Sequence, residues 1–217
     1  MRNHDPLIDR LTESVKPVQR VWPTPWRVAG WIAAALPCGA LSSWAFHTRL
    51  TDWSQPGAAV ALSALLLAFV IAGSSVAAAF TLSIAGRKPV SLYRLWLLAG
   101  LWLTLNLFNL SSSVPPASAG RLGEGIHCYL FMLSASLPMM LLSVIALQRT
   151  RSLHPAKSLA LAGCGSAFSS SMLLSLCHDT HLHLIDFSMH LAAGITIIAI
   201  TVVAGRRWVQ LEGLTEK

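Results

Sequence analysis

Charge is what this chain has least of. Asp, Glu, Lys and Arg make up only 12% of its 217 residues, about half the roughly 25% of an ordinary soluble domain. The nine acidic residues are outnumbered by 16 basic ones, giving a net charge of +7 and a pI near 9.8. That balance raises nucleic acid as a partner. It is rejected, because the basic residues fall in short clusters between apolar runs and form neither a stripe nor a patch interleaved with aromatics. Cysteine is scarce too: four residues without a CxxC pair exclude a zinc ribbon and a thioredoxin-type motif. No Ser-His-Asp order, paired catalytic carboxylates or phosphate loop is present, so the chain is not expected to be an enzyme. No small-residue cleavage site follows a short apolar core, so the first 25 residues are expected to be a retained tail, not a signal peptide. Ala35-Leu36-Pro37-Cys38 superficially resembles a lipoprotein cleavage box, but the proline and the acidic-containing leader argue against that reading.

What is abundant is apolar. Hydrophobic residues are 54% of the chain, and they gather in runs matching the ~20 helical residues that cross a hydrocarbon core of about 30 Å. Six such segments are found, at about 26–46, 57–85, 92–112, 126–147, 157–177 and 184–205. The expected fold is therefore all-α, an integral membrane bundle of six transmembrane helices. Lysine and arginine fix the expected orientation. Arg2, Arg10, Lys16, Arg20 and Arg27 precede or open the first run, Arg87, Lys88 and Arg94 separate the second and third, Arg149, Arg151 and Lys157 the fourth and fifth, and Arg206, Arg207 and Lys217 follow the sixth. These are 14 of the 16; the alternate loops hold only Arg49 and Arg121. Both termini are thus expected to be cytoplasmic. The division is a cytoplasmic N-terminal tail (1–25), a six-helix transmembrane domain (26–206) and a cytoplasmic C-terminal tail (207–217), with membrane lipid as surroundings.

Several details follow from this frame. Trp22, Trp26, Trp44, Trp53, Trp96 and Trp208 lie near predicted helix ends, as interfacial tryptophans do. Small residues (Ala72-Gly73-Ser74-Ser75, Ala77-Ala78-Ala79, Gly163, Gly165) allow helices to approach closely. Asn106 and Asn109 share a helical face and are expected to bond between helices, with a substrate path as the alternative. Pro37 and Pro138 should kink the first and fourth segments. In the tail, Pro6 to Val15 reads as a short amphipathic helix capped by Asp5 and ended by Lys16-Pro17. Its apolar residues Leu7, Ile8, Leu11 and Val15, with Val18 beyond, can lie on the membrane surface or dock into a partner's groove.

The candidate chemistry sits in two polar spots. Cys177 to His190 holds four of the eight histidines, His178, His181, His183 and His190, together with Asp179 and Asp186. Glu124 to Cys128 contributes His127 and Cys128. The topology puts both at the outer face. Neutral imidazole and thiolate are the ligands preferred by Zn²⁺, Cu⁺ and similar ions, so Cys128, Cys177, His127, His178, His181, His183 and His190 form a candidate site for a transition metal such as Cu, Zn or Cd. No cofactor is required. Asp179 and Asp186 can orient the histidines. His183, Asp186 and His190 fall at i, i+3 and i+7, on one helical face. Cys128 and Cys177, at similar depth on the oxidising side, can bridge if adjacent. Solvated histidines with small hydrophobic cysteines are the plainer alternative. Cys38 and Cys164 fall mid-segment and read as packing residues.

Three stretches resemble one family over nearly the whole chain. They are Leu7-Ile8-Asp9-Arg10-Leu11 leading to Lys16-Pro17-Val18-Gln19-Arg20 and a Trp-Pro segment; Ile126-His127-Cys128 with Leu137-Pro138; and Leu176-Cys177-His178-Asp179 followed by His183 and His190. Their order resembles the NrsF-type six-span inner-membrane anti-sigma factors, negative regulators of an extracytoplasmic-function sigma factor. The resemblance implies that the chain holds such a sigma factor at the cytoplasmic face. It also implies that Cys128 and Cys177 sense heavy-metal or redox stress outside. A metal- or haem-binding oxidoreductase subunit and a small metal transporter are the competing expectations.

Overall fold

The computed structural model describes Thr12 and residues 21–45, 50–87, 91–112, 122–150, 152–177 and 183–209, excluding the side chains of 42, 43, 45, 112 and 122–124. Among the described residues the fold is all-helical, with six long helices and no strand. They are α1 (Thr24–Ala45), α2 (Ala58–Leu82), α3 (Leu92–Ser112), α4 (Leu122–Gln148), α5 (Pro155–Ser175) and α6 (Leu184–Val209). Each coincides with one of the expected apolar segments. Four regions, Ala58–Leu82, Gly125–Gln148, Pro155–Ser175 and Leu184–Val209, are long and apolar enough to cross a membrane, the mark of a transmembrane protein. The other two are of similar length, but α1 carries Arg27 near its start and α3 carries Arg94, Asn106 and Asn109.

α5 is the centre. Two thirds (67%) of its apolar window is buried, against 22% for α6. Its sequence makes this possible: Ser158, Ser166, Ser169, Ser170, Gly163 and Gly165 are all buried and small. The hydroxyls are satisfied locally, Ser166 donating to Ala162 O and Ser170 to Ala167 O, while Ser158 pairs with Ser152. A serine that back-bonds to its own helix adds little bulk and leaves no orphan donor. α2 makes the most extensive contact with α5, and there the small residues meet as expected: a methyl added at Gly165 would lie 2.5 Å from Val76 Cγ2 and 3.1 Å from Ala72 O. Gly163, two positions earlier, faces the other way: a methyl added there would lie 3.0 Å from Ile198 Cα of α6. The two glycines thus serve two interfaces.

Side-chain contacts fix which helix ends lie together. Arg27, in the second turn of α1, reaches Phe80 O near the end of α2 and Ala146 O near the end of α4. Gly205 of α6 packs on Leu159 of α5 and Val144 of α4. Leu82, Leu92 and Lys157 line one cavity, bringing the start of α3 and α5 to the same end. At the other end Thr51, between α1 and α2, bonds to Ser175 O and Leu176 O at the end of α5. There too Gly125 of α4 packs against Ile185, Asp186 and Met189 of α6. Neighbouring helices therefore alternate in direction. All seven described cations, Arg27, Arg87, Arg94, Arg149, Lys157, Arg206 and Arg207, fall at the first end, called here the cationic end.

Trp22, Trp26, Trp44, Trp96 and Trp208 are strongly exposed at helix ends. Trp53 is in the loop before α2. Trp31 instead turns inward and donates to Ser143 Oγ at 2.9 Å. Pro37 and Pro138 lie inside α1 and α4, which continue through them. Asn106 and Asn109 are buried, but Asn106 Nδ2 donates to Trp102 O of its own helix at 2.7 Å, so this part of the expected interhelical bonding is replaced by a bond along α3. Leu7, Ile8, Leu11, Val15 and Val18 lie outside the described residues.

Candidate sensory site

The helix ends opposite the cationic end gather the described part of both polar spots. His127 and Cys128 are neighbours on α4 with different surroundings: His127 is exposed, whereas Cys128 is 8% exposed and belongs to the core. A step of one residue turns a helix by about 100°, enough to move a side chain from surface to interior. Cys128 follows Gly125 by three residues and so shares its face, the one pressed against α6. Asp186 Oδ1 lies 3.8 Å from where a methyl at Gly125 would be.

Cys177 comes two residues after α5 and is half-buried, its N–H donating to Leu174 O at 2.8 Å. The preceding carbonyls are taken by Thr51, whose N–H donates to Leu176 O and whose hydroxyl donates to Ser175 O, both at 2.9 Å. The last carbonyls of a helix have no partner within it; here a residue more than a hundred positions away caps them. Beside Thr51, Asp52 accepts from Ser54 Oγ (2.7 Å), Ser54 N–H (3.0 Å) and Gln55 Nε2 (3.4 Å). The Ser54 bonds favour the ionised form and hold the exposed carboxyl below its usual range.

His183 is half-buried just before α6, and its carbonyl accepts the bond from Phe187 N–H that starts the helix. Asp186 is buried (6%) in the first turn, where the aligned peptide dipoles favour a negative charge. His190 stands six residues into α6, about 9 Å along it at roughly 1.5 Å per residue. It is half-buried, with Nε2 shielded from solvent, and borders a cavity of about 170 Å³ together with Trp102, Met132 and Phe168. Trp102 meets Phe168 edge-on at 5.1 Å and Phe187 at 6.2 Å, so α3 closes this side of the site with aromatic rings.

The structure thus brings the starts of α4 and α6 into contact and puts Cys177 at the same end of the bundle. All four cysteines are free thiols. Among the described residues no three His, Cys, Asp or Glu side chains draw close enough to hold a metal ion. His178, Asp179 and His181, and the side chain of Glu124, lie outside the described residues. Cys164 receives a bond from Ser75 Oγ at 3.7 Å and borders the α2–α3–α5 cavity. Two contributors carry no sequence signal: Thr51, whose role depends on where α5 happens to end, and Gly125, which looks like any small helical residue. Comparison of the chain with protein-family models, curated proteins and solved structures returns no match.

Proposed function

We propose that this protein is a six-span, inner-membrane anti-sigma factor of the NrsF type. In this reading α1 and α3 also cross the bilayer, and both termini are cytoplasmic. The N-terminal tail holds an extracytoplasmic-function sigma factor through Leu7, Ile8, Leu11, Val15 and Val18. Heavy metal or oxidant acting on Cys128 and Cys177 at the outer face releases it. A soft cation would displace two thiol protons on ligation; a two-electron oxidant would join the two sulfurs as a disulfide and take up two electrons as two protons leave. His127, His178, His181, His183 and His190 supply further ligands, with Asp179 and Asp186 orienting them.

The observation that supports the reading is the separation of chemistry between the two ends. His127, Cys128, Cys177, His183 and His190 share one end, while the cations gather at the other, where residue 21 leads into α1. Positive loops tend to stay cytoplasmic, which supports a Cys/His end outside and a tail on the side where a sigma factor would be met. Such a layout supports a transmembrane sensor.

The test is co-purification of a sigma factor with the full chain and with a form lacking residues 1–20. The full chain should retain sigma and the shortened one should lose it. Cys128→Ser and Cys177→Ser should keep sigma bound and abolish its release by metals and oxidants. Equal recovery from both forms, or normal release from both variants, refutes the proposal.

A further inference from the structure

Gly30 of α1 faces open space: a methyl added there would meet no atom within 4 Å. It belongs to a cleft of about 980 Å³ between α1 and α4 at the cationic end. The cleft is graded along its length. Trp22, Arg27 and Arg149 line it at the helix ends, and Gly30, Ala34 and Ile145 line it further along α1 and α4. Ile145 is 43% exposed and Trp22 71%, so the cleft opens sideways, toward what surrounds the bundle.

Arg27 is half-buried and held in place. Its guanidinium lies 4.5 Å over the Phe80 ring and donates to Phe80 O and Ala146 O, each at 3.4 Å. Those carbonyls occupy two of the five N–H donors a guanidinium carries. Arg87, anchored on Thr24 Oγ1 at 2.7 Å, is near enough to repel it. Arg149 adds a third cation, exposed at the rim. The described carboxylates, Asp52 and Asp186, are both at the opposite end of the bundle. Two cations that line a largely apolar groove, with Arg87 close to one of them, call for an anion with a hydrocarbon body.

We propose that this cleft binds one anionic phospholipid, its phosphate at Arg27 and Arg149 and one acyl chain along Gly30, Ala34 and Ile145. Cations at a membrane surface attract anionic headgroups, and arginine offers a fork that fits phosphate oxygens. The site is independent of the sensor reading, since it lies away from the cysteines and needs only that the bundle be embedded in lipid.

Native mass spectrometry of the full chain in detergent tests it, with phosphatidylglycerol and phosphatidylcholine of identical chains as probes. One phosphatidylglycerol should be retained in preference to phosphatidylcholine. Arg149→Gln should lower that retention about fivefold, the effect of removing one surface cation from an anionic headgroup. Gly30→Leu should fill the groove and abolish the adduct without lowering the melting midpoint. Equal retention of the two lipids, or an undiminished adduct in Gly30→Leu, overturns the proposal. So does an adduct seen only after neutralising Asp5, Asp9 and Glu13, which would assign the cleft to the chain's own acidic tail.

Discussion

Replacing Gly165 by alanine should loosen the bundle, although the same replacement at Gly30 or Gly73 should not. At Gly165 the new methyl would lie 2.5 Å from Val76 Cγ2, 3.1 Å from Ala72 O and 3.4 Å from Val76 N. Carbon atoms pack at about 3.5–4.0 Å, so α2 must withdraw by roughly 1 Å or Val76 must turn. Val76 is fully buried, and a β-branched side chain on a helix has one strongly preferred rotamer. The carbonyl and amide of α2 cannot yield without moving the helix. Overpacking of this kind costs about 1–3 kcal/mol, against about 0.5–1 kcal/mol gained by removing a helical glycine, for a net loss of roughly 1–2 kcal/mol. Gly73 has its nearest neighbour, Ile32 Cδ1, at 4.0 Å, and Gly30 has none; there only the backbone gain remains. At Gly39 the close atoms are the tips of Leu173 and Met139, each at 2.5 Å, and flexible tips can move aside. Thermal unfolding in a fixed detergent should therefore rank Gly165→Ala lowest, about 2–8 °C below the parent, with Gly39→Ala between it and the other two. Equal midpoints for Gly165→Ala and Gly30→Ala would refute the close α2–α5 approach.

Three further outcomes are expected. Thr51→Val should remove the bond to Ser175 O, costing about 1 kcal/mol, and should speed alkylation of Cys177 by a membrane-impermeant maleimide as the cap on α5 loosens; an unchanged rate refutes the cap. In the parent chain, with Cys38 and Cys164 replaced by alanine, that reagent should label half-buried Cys177 well before core-packed Cys128, and equal rates in peptide mapping would contradict their different burial. The Asp52 carboxyl is held below its usual value by Ser54. Whatever stability it contributes is therefore present above the unfolded pKa and fades as pH falls through the folded one; Ser54→Ala should move the titration upward, and an unmoved carboxyl resonance would exclude Ser54 as the cause.

The helices were legible because their signal is one of length and apolarity, read without knowing any partner. All six segments reappear within a few residues of their expected limits. The small residues of α2 and α5 were legible as a close contact for the same reason: bulk is a property of each residue alone. Direction within a helix was less so. Gly163 and Gly165 look equivalent in sequence and face different neighbours. Asn106 was expected to bond across helices but reaches a carbonyl four residues back, because an amide beside a helical carbonyl can satisfy itself without a partner. Of the candidate site, the shared end of His127, Cys128, Cys177, His183, Asp186 and His190 was legible from counting spans, whereas the contrast between exposed His127 and buried Cys128 depends on which face of α4 meets α6. Thr51 was out of reach, since its role is defined only by where α5 ends.

These placements also say how the proposed signal would travel. A ligand at the outer end can change the tail's affinity only if it binds one of two arrangements of the bundle more tightly than the other. The α2–α5 interface is a poor place for that change, because Gly165 and Val76 leave no room to slide. α1 is better suited. It contains Pro37, packs mainly on α4, touches α2 and α5 less extensively than those two touch each other, and meets Leu173 and Met139 through Gly39, where flexible tips can yield. Its end away from the cationic end leads toward Thr51, which is tied to the end of α5, next to Cys177. Its other end is tied by Arg27 to α2 and α4 and begins where the tail ends. In the sensor reading, movement of Cys177 toward Cys128 would therefore be felt first through Thr51 and then along α1. α2 and α5 would stay locked as the frame against which α1 moves.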